Sequence, residues 1–269
     1  MIMHKKTILK KISFIIVNYQ SAETLSSCVM SIKKCVPPSW HYEIIIVNND
    51  TQKISRDINV IVDHTIELKR NYGYGYANNR GAEIANGDII CFLNPDALFS
   101  SVSIADILKQ FNADAIAIVA PRLVTRSGKT QEWSVGAEMT ALELIRNHIG
   151  VSRSEHLWCS NDTIQVAWVS GAAMFIKATV FNELKGFDEN FFLYYEDIDL
   201  CRRAQKINKD VIYCPYVEVQ HISGASSHDR KQQKKQYYAS QDYYFKKHFH
   251  PVVGQFVRVL RVPYRFVKR

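Results

Sequence analysis

Nowhere in the 269 residues is there a run of about 18 apolar side chains, so the sequence offers no membrane-spanning helix. The apolar stretch near the N-terminus is short, has no small-residue cleavage site and leads straight into NYQSAETL. It reads as a first strand and not as a signal peptide. The six cysteines, at 28, 35, 91, 159, 201 and 214, form no CxxC and no Cys/His pair at zinc spacing. Buried free thiols in a reducing cytosol are therefore expected instead of disulfides or a thiolate metal site. No GK[ST] follows a glycine turn, which excludes a Walker loop. The G-x-G at Gly73 and Gly75 lacks the third glycine of a dinucleotide fingerprint and does not follow the first strand. Internal repeats and low-complexity linkers are missing too, which predicts one compact domain in a cytoplasmic protein.

Net charge is nearly absent from most of the chain. Residues 228–269 hold eleven Lys/Arg against two Asp/Glu, leaving 23 basic and 24 acidic side chains for the rest. A neutral body with a basic tail excludes a nucleic-acid-binding core and predicts a tail that meets an anionic surface. The chain accordingly divides into a domain over 1–227 and a basic extension over 228–269.

What is present is alternation. ISFIIV (12–17), YEIIIV (42–47), TIELK (65–69), DIICFL (88–93) and AIAIVAP (115–121) read as strands. Between them lie helix signals: Ser21 as a cap before Leu25, Cys28, Val29 and Ile32, then YGYANNRGAEIANG closed by Gly87, then a helix near 102–112. A further helix is expected at 140–148 and a strand at DVIYCP. This order implies an α/β fold, a Rossmann-like and mostly parallel sheet with helices on both faces.

Ligands of such sheets gather at the carboxyl ends of the strands. Three apolar strands here end in polar clusters: Asn18, then NND (48–50), then NPD (94–96). An aspartate after a proline can simply start a turn, but three such clusters together suggest one site. RNYGYGYANNRG (70–81) adds glycines for close backbone approach before a helix start. FFLYYEDIDLCRRA sets Glu196, Asp197 and Asp199 at the start of a predicted helix, behind aromatic residues. Acids there can cap the helix, and apolar walls would also raise a carboxylate's proton affinity to suit a general base.

FIIVNYQSAETLSSCV, EIIIVNND, NYGYGYANNRG, CFLNPDALF, VSGAAMFIKATVF, GFDENFFLYYEDIDLCRRA and VQHISGASS resemble, in this order, the motifs of family 2 glycosyltransferases. The bacterial rhamnosyltransferase-like subgroup is the most similar. The resemblance runs from about residue 12 to 226 and is weak over 126–165 and in the tail. It implies a GT-A fold, a divalent Mg²⁺ or Mn²⁺, and inversion at the anomeric carbon. The donor it implies is a nucleotide sugar, dTDP-rhamnose or a UDP-sugar, and the acceptor a lipid-linked or polysaccharide glycan. Asn18 and Asp50 would then line the base and ribose pocket, and Asn71, Gly73, Asn78 and Arg80 the nucleotide side of the cleft. Asp96 would end a metal motif that reads Asn94-Pro95-Asp96, without its first acid, and His221 would complete the metal shell. Asp197 would be the catalytic base, with Glu196 beside it. Two other readings stay open: a nucleotidyltransferase, although NYQSAETL lacks a basic phosphate loop, and a nucleotide-sugar-binding protein without activity.

In HPVVGQFVRVLRVPYRFVKR (250–269), Arg258, Arg261 and Arg265 recur at helical spacing, while Val253, Phe256, Val257, Leu260 and Tyr264 fall largely on another face. Pro263 should bend any helix there. Such a segment either packs on the domain with a solvated basic face or lies on anionic lipid at the inner face of the cell membrane.

Overall fold

In β1 (Ile12–Asn18), Ile12, Phe14 and Ile16 pack into one apolar layer while Ile15 and Val17 pack into the other. A strand buried on both faces is what an apolar run with no polar alternation specifies. The computed structural model describes residues 11–37, 39–100, 104–222 and 230–261. After β1 come α1 (Ala22–Cys35), β2 (Tyr42–Asn48), α2 (Arg56–Ile61), β3 (His64–Glu67), α3 (Tyr74–Ile84), β4 (Ile89–Leu93), β5 (Ala97–Phe99), α4 (Ile104–Gln110) and β6 (Ile116–Val124). The chain continues through β7 (Val135–Gly136), α5 (Ala141–His148), α6 (Glu155–Trp158), β8 (Ile164–Gln165), β9 (Trp168–Val169), β10 (Ala173–Lys177) and α7 (Ala178–Glu183). It closes with α8 (Glu196–Lys206), β11 (Asp210–His221), α9 (Arg230–His248) and α10 (Pro251–Leu260).

The main sheet has the order β3-β2-β1-β4-β10-β6-β11-β5, with β8 also on β11. Strands β3, β2, β1 and β4 are parallel, whereas β10 runs antiparallel between β4 and β6. Helices α1, α2 and α4 cover one face through Leu25, Val29, Ile32, Ile58 and Ile107. On the other face, α3, α7, α8 and α9 contribute Ala77, Phe181, Leu200, Tyr244 and Phe245. A mostly parallel sheet with helices on both faces is therefore present, as the alternation predicted.

Several local expectations change. AIAIVAP and DVIYCP were each bounded by a proline, yet β6 runs on to Val124 and β11 to His221. The two strands pair in parallel with a register shift between Cys214 and Glu218, and Pro121 lies opposite Cys214. Proline cannot donate to a ladder, and the irregularity accommodates Pro121 and Pro215 without ending the strands. Ser21 occupies the N-cap of α1, but its hydroxyl donates to the Tyr19 carbonyl at 2.7 Å instead of capping. Helix α3 stops at Ile84 with Ala85 at its C-cap, so Gly87 does not close it. Gly87 is needed for a different reason: a Cβ there would meet the Ser13 backbone nitrogen at 2.6 Å. Of the six cysteines, Cys28, Cys91, Cys201 and Cys214 are buried, but Cys35 is half-buried and Cys159 exposed.

The tail set apart from residue 228 shares the core of the preceding chain. Tyr244 and Phe245 of α9 and Val257 of α10 are buried in the same apolar layer as α8. The expected faces of α10 are also rearranged. Val257 points inward, Phe256 outward, and Arg261 is buried against Asp242 and over the Tyr238 ring. Pro263 and Arg265 lie outside the described residues.

Candidate active site

Two cavities, of about 630 and 800 Å³, adjoin at the carboxyl end of the parallel strands and share Tyr74, Asn94, Leu193, Tyr194 and His221. Each is of a size that holds a small-molecule ligand. Asn49, Asn71, Gly73 and Asp96 line the first, and Glu196 and Asp197 the second.

The first cavity is built on backbone polar groups. Asn49, at the end of β2, accepts from the Tyr72 amide at 2.8 Å and donates to Asn71 Oδ1 at 3.0 Å and to the Gly73 carbonyl at 3.2 Å. It thereby ties the 70–73 turn to the sheet. Gly73 has φ +98°, and a Cβ there would sit 2.4 Å from the Phe192 carbonyl oxygen. That same oxygen accepts from the Tyr74 amide at 2.9 Å, which locks the turn to the segment leading into α8.

Asp96 and His221 meet in this cavity, His221 at the end of β11 and Asp96 just before β5, which pairs with it. His221 Nε2 lies 3.3 Å from Asp96 Oδ1 and 3.1 Å from Asn94 Nδ2, while its Nδ1 lies 2.8 Å from Gln131 Oε1. In the tautomer that carries its proton on Nδ1, His221 donates to Gln131 and accepts from the Asn94 amide at Nε2. In that tautomer the Nε2 lone pair and a carboxylate oxygen face one space: the oxygen suits Mg²⁺ or Mn²⁺, and the imidazole nitrogen suits the transition metal Mn²⁺ better than Mg²⁺. Among the described residues no three His, Cys, Asp or Glu side chains converge on one point. A cation held here would keep positions open for phosphate oxygens and water.

The second cavity holds the acids. Tyr194 and Tyr195 both have positive φ, +71° and +68°, immediately before α8. Two successive non-glycine residues in the left-handed region store backbone strain, which sites exploit to aim side chains. Gln241 anchors the second of them by donating to the Tyr195 hydroxyl at 2.7 Å. Asp197 Oδ2 accepts from the Gly171 amide at 3.0 Å and Oδ1 from the Ile198 amide at 2.8 Å. The Gly171 carbonyl in turn accepts from the Tyr74 hydroxyl at 2.6 Å. Burial raises the Asp197 pKa despite the opposing backbone hydrogen bonds. Glu196 is pushed up further, by burial and then by the neighbouring Asp197 charge, and its Oε2 is buried without a partner. Asp199 behaves oppositely: burial is outweighed by His248, Arg203 and Lys247, and its pKa falls. It is a structural clamp between α8 and α9, and does not line either cavity.

The remaining expected residues lie behind the walls. Asn18 is buried and donates to Asn48 Oδ1 at 2.8 Å. Asp50 accepts from the Gln20 and Thr51 amides, which outweigh burial and lower its pKa. Asn78 donates to the Tyr74 carbonyl at 3.0 Å and is buried within α3. Arg80 pairs with Glu189 at 2.9 Å and Glu83 at 3.0 Å, over the Tyr76 ring. None of these four lines either cavity. Asn49, Tyr74 and Gln131 are the residues that sequence reasoning passed over. Asn49 stood inside the NND cluster and Tyr74 inside the glycine motif, whereas Gln131 carried no motif at all.

The chain is 28% identical over 222 residues to the low-salt glycan biosynthesis hexosyltransferase Agl10 of Haloferax volcanii, covering 81% of this chain and 69% of that one. It is 27% identical over 200 residues to the rhamnosyltransferase WbbL of Escherichia coli, covering 68% and 74%. Among solved structures, GalNAc-T7 with UDP, GalNAc and Mn²⁺ superposes with a TM-score of 0.65 at 16% identity. That match covers 89% of this chain but half of the other, and it shows the GT-A fold. The model of the family described as Glycosyltransferase like family 2 matches residues 10–239, and the chain belongs to that family.

Proposed function

We propose that the protein is an inverting glycosyltransferase that moves a sugar from a nucleoside-diphosphate donor to a lipid-linked or polysaccharide acceptor in bacterial cell-surface glycan synthesis. Rhamnose, carried by dTDP, is the donor sugar to test first, followed by UDP-sugars, because one relative is named a rhamnosyltransferase. The observation that carries the reading is the adjacency of two chemically distinct cavities: one with the Asp96–His221 pair, the other with Asp197 and Glu196.

The donor diphosphate belongs in the first cavity, against the Asn49–Gly73 turn. Asp96 and His221 would hold Mg²⁺ or Mn²⁺, which when bound neutralises charge on the departing nucleoside diphosphate. In the second cavity Asp197 receives the proton of the acceptor hydroxyl as that oxygen attacks the anomeric carbon. The sugar–phosphate bond breaks on the opposite side, so a single displacement inverts the centre. The Gly171 and Ile198 amides hold the Asp197 carboxylate in place, and burial keeps it basic enough to act.

The test is a thermal-shift panel of nucleotide sugars with and without Mn²⁺, followed by transfer assays on the stabilising donor. A metal-dependent rise with one nucleotide sugar is expected. No stabilisation by any nucleotide sugar would overturn the reading.

A further inference from the structure

Six of the thirteen large apolar side chains exposed among the described residues lie on two neighbouring helices and one adjoining turn. On α10 these are Val252, Phe256 and Val259, at i, i+4 and i+7 and thus on one face. On α5 and the turn after it they are Leu142, Ile149 and Val151. All six are between 46% and 68% exposed. The same helices have satisfied inner faces: Val257 and Leu144 are in the core, and Arg261 is buried on Asp242. The outer stripes therefore remain after the fold has taken what it needs.

Inner-face residues of α5, Leu144, Asn147 and His148, line the cavity of Asp197 together with Arg261 from the end of α10. The apolar stripes thus flank the wall of the acceptor cavity. Charge nearby is biased towards positive. Arg146 and Arg153 both face the one buried Glu143, and Arg258 and Arg261 both face the one Asp242. Arg265, Lys268 and Arg269 follow in the sequence after α10, in a segment where basic residues outnumber acidic ones eleven to two.

We propose that the outer faces of α5 and α10 dock on an anionic lipid surface, with Val252, Phe256, Val259, Leu142 and Ile149 in the headgroup layer and the surrounding cations on lipid phosphates. Amphipathic helices bind bilayer interfaces through this combination of apolar area and positive charge. The orientation sets the acceptor cavity beside the membrane, where a lipid-linked acceptor would reach Asp197 without leaving the bilayer. This purpose rests on the proposed reaction, but the docking does not and is measured without any sugar.

The experiment is co-sedimentation of the full chain with phosphatidylcholine vesicles, with and without phosphatidylglycerol, at low and high salt. Binding to the anionic vesicles and release by salt are expected. Val252→Asp, Phe256→Asp and Val259→Asp together should weaken that binding by about tenfold or more, with unchanged thermal unfolding, because all three side chains are exposed. Val60→Asp, an exposed apolar position on α2, should bind like the parent. Equal sedimentation of the triple variant and the parent would overturn the proposal, as would binding only to neutral vesicles. A parent that is dimeric by gel filtration, monomeric in the triple variant and unbound to vesicles would assign the face to a second copy and also overturn it.

Discussion

His221 Nε2 lies 3.3 Å from Asp96 Oδ1, and its Nδ1 lies 2.8 Å from Gln131 Oε1. Two lone-pair donors facing one space favour a cation between them. Asp96→Ala should therefore abolish Mn²⁺-dependent donor binding, and His221→Ala should weaken it less. Gln131→Leu leaves both donors but frees the ring, and loss of such an orienting partner lowers metal affinity by about 10–100-fold. Calorimetric Mn²⁺ titration in the presence of donor nucleotide reads all three. Full transfer activity in excess chelator would remove the metal role.

Asp197→Asn should lower the transfer rate by about 10²–10⁴-fold, the typical loss for a positioned base, while donor binding by calorimetry stays intact. Because burial raises the Asp197 pKa, the base becomes competent only above the ordinary aspartate range. The acidic limb of the pH–rate profile should lie correspondingly high. A fully active Asp197→Asn with an inactive Glu196→Gln would reverse the assignment within the pair.

The raised Glu196 pKa is also a stability statement. Between its unfolded and folded pKa values the native state holds the proton that the unfolded chain has lost, so stability falls as pH rises through that window. Glu196→Gln should consequently unfold at higher temperature at pH 7 than the parent, with the difference vanishing in acid. Equal melting temperatures across the range would show that the carboxyl carries no such cost.

Asp199 presents the opposite sign. It is fully buried, with Arg203 Nε at 2.7 Å, Lys247 Nζ at 2.6 Å and His248 Nε2 at 2.7 Å. Its lowered pKa contributes stability above the unfolded aspartate value that is lost as pH falls through the folded one. Removing one member of a buried charge cluster strands the others, so Asp199→Ala should cost about 3–5 kcal/mol in denaturant unfolding near neutral pH.

Gly73→Ala tests the turn that joins the two cavities. The new methyl would need both a φ of +98° and the space 2.4 Å from the Phe192 carbonyl oxygen. A strained position of this kind costs about 1–3 kcal/mol, and the shift in the 71–74 backbone should also weaken nucleotide binding in the same titration. Unchanged stability and binding would mean that the turn relaxes freely.

The sequence alone determined the alternating elements, the parallel sheet, the polar strand ends and the acidic start of α8. These follow from periodicity and turn chemistry, which act over a few residues. Asn94, Asp96, Glu196 and Asp197 were legible because each stands where an apolar run breaks. Tertiary structure alone decided which strand ends converge. His221 reaches Asp96 because β11 passes Pro215 through a register shift and pairs with β5, and Gln131 reaches His221 from a stretch with no pattern of its own. Arg80, expected on the nucleotide side of the cleft, is turned by α3 towards Glu189, a partner 109 residues away that no local pattern indicates. The faces of α10 were read only in part: the arginine spacing was taken as a solvated basic side, but Arg261 is buried and Phe256 is exposed. Only its packing on α9, with Arg261 drawn to Asp242, settles which side is buried.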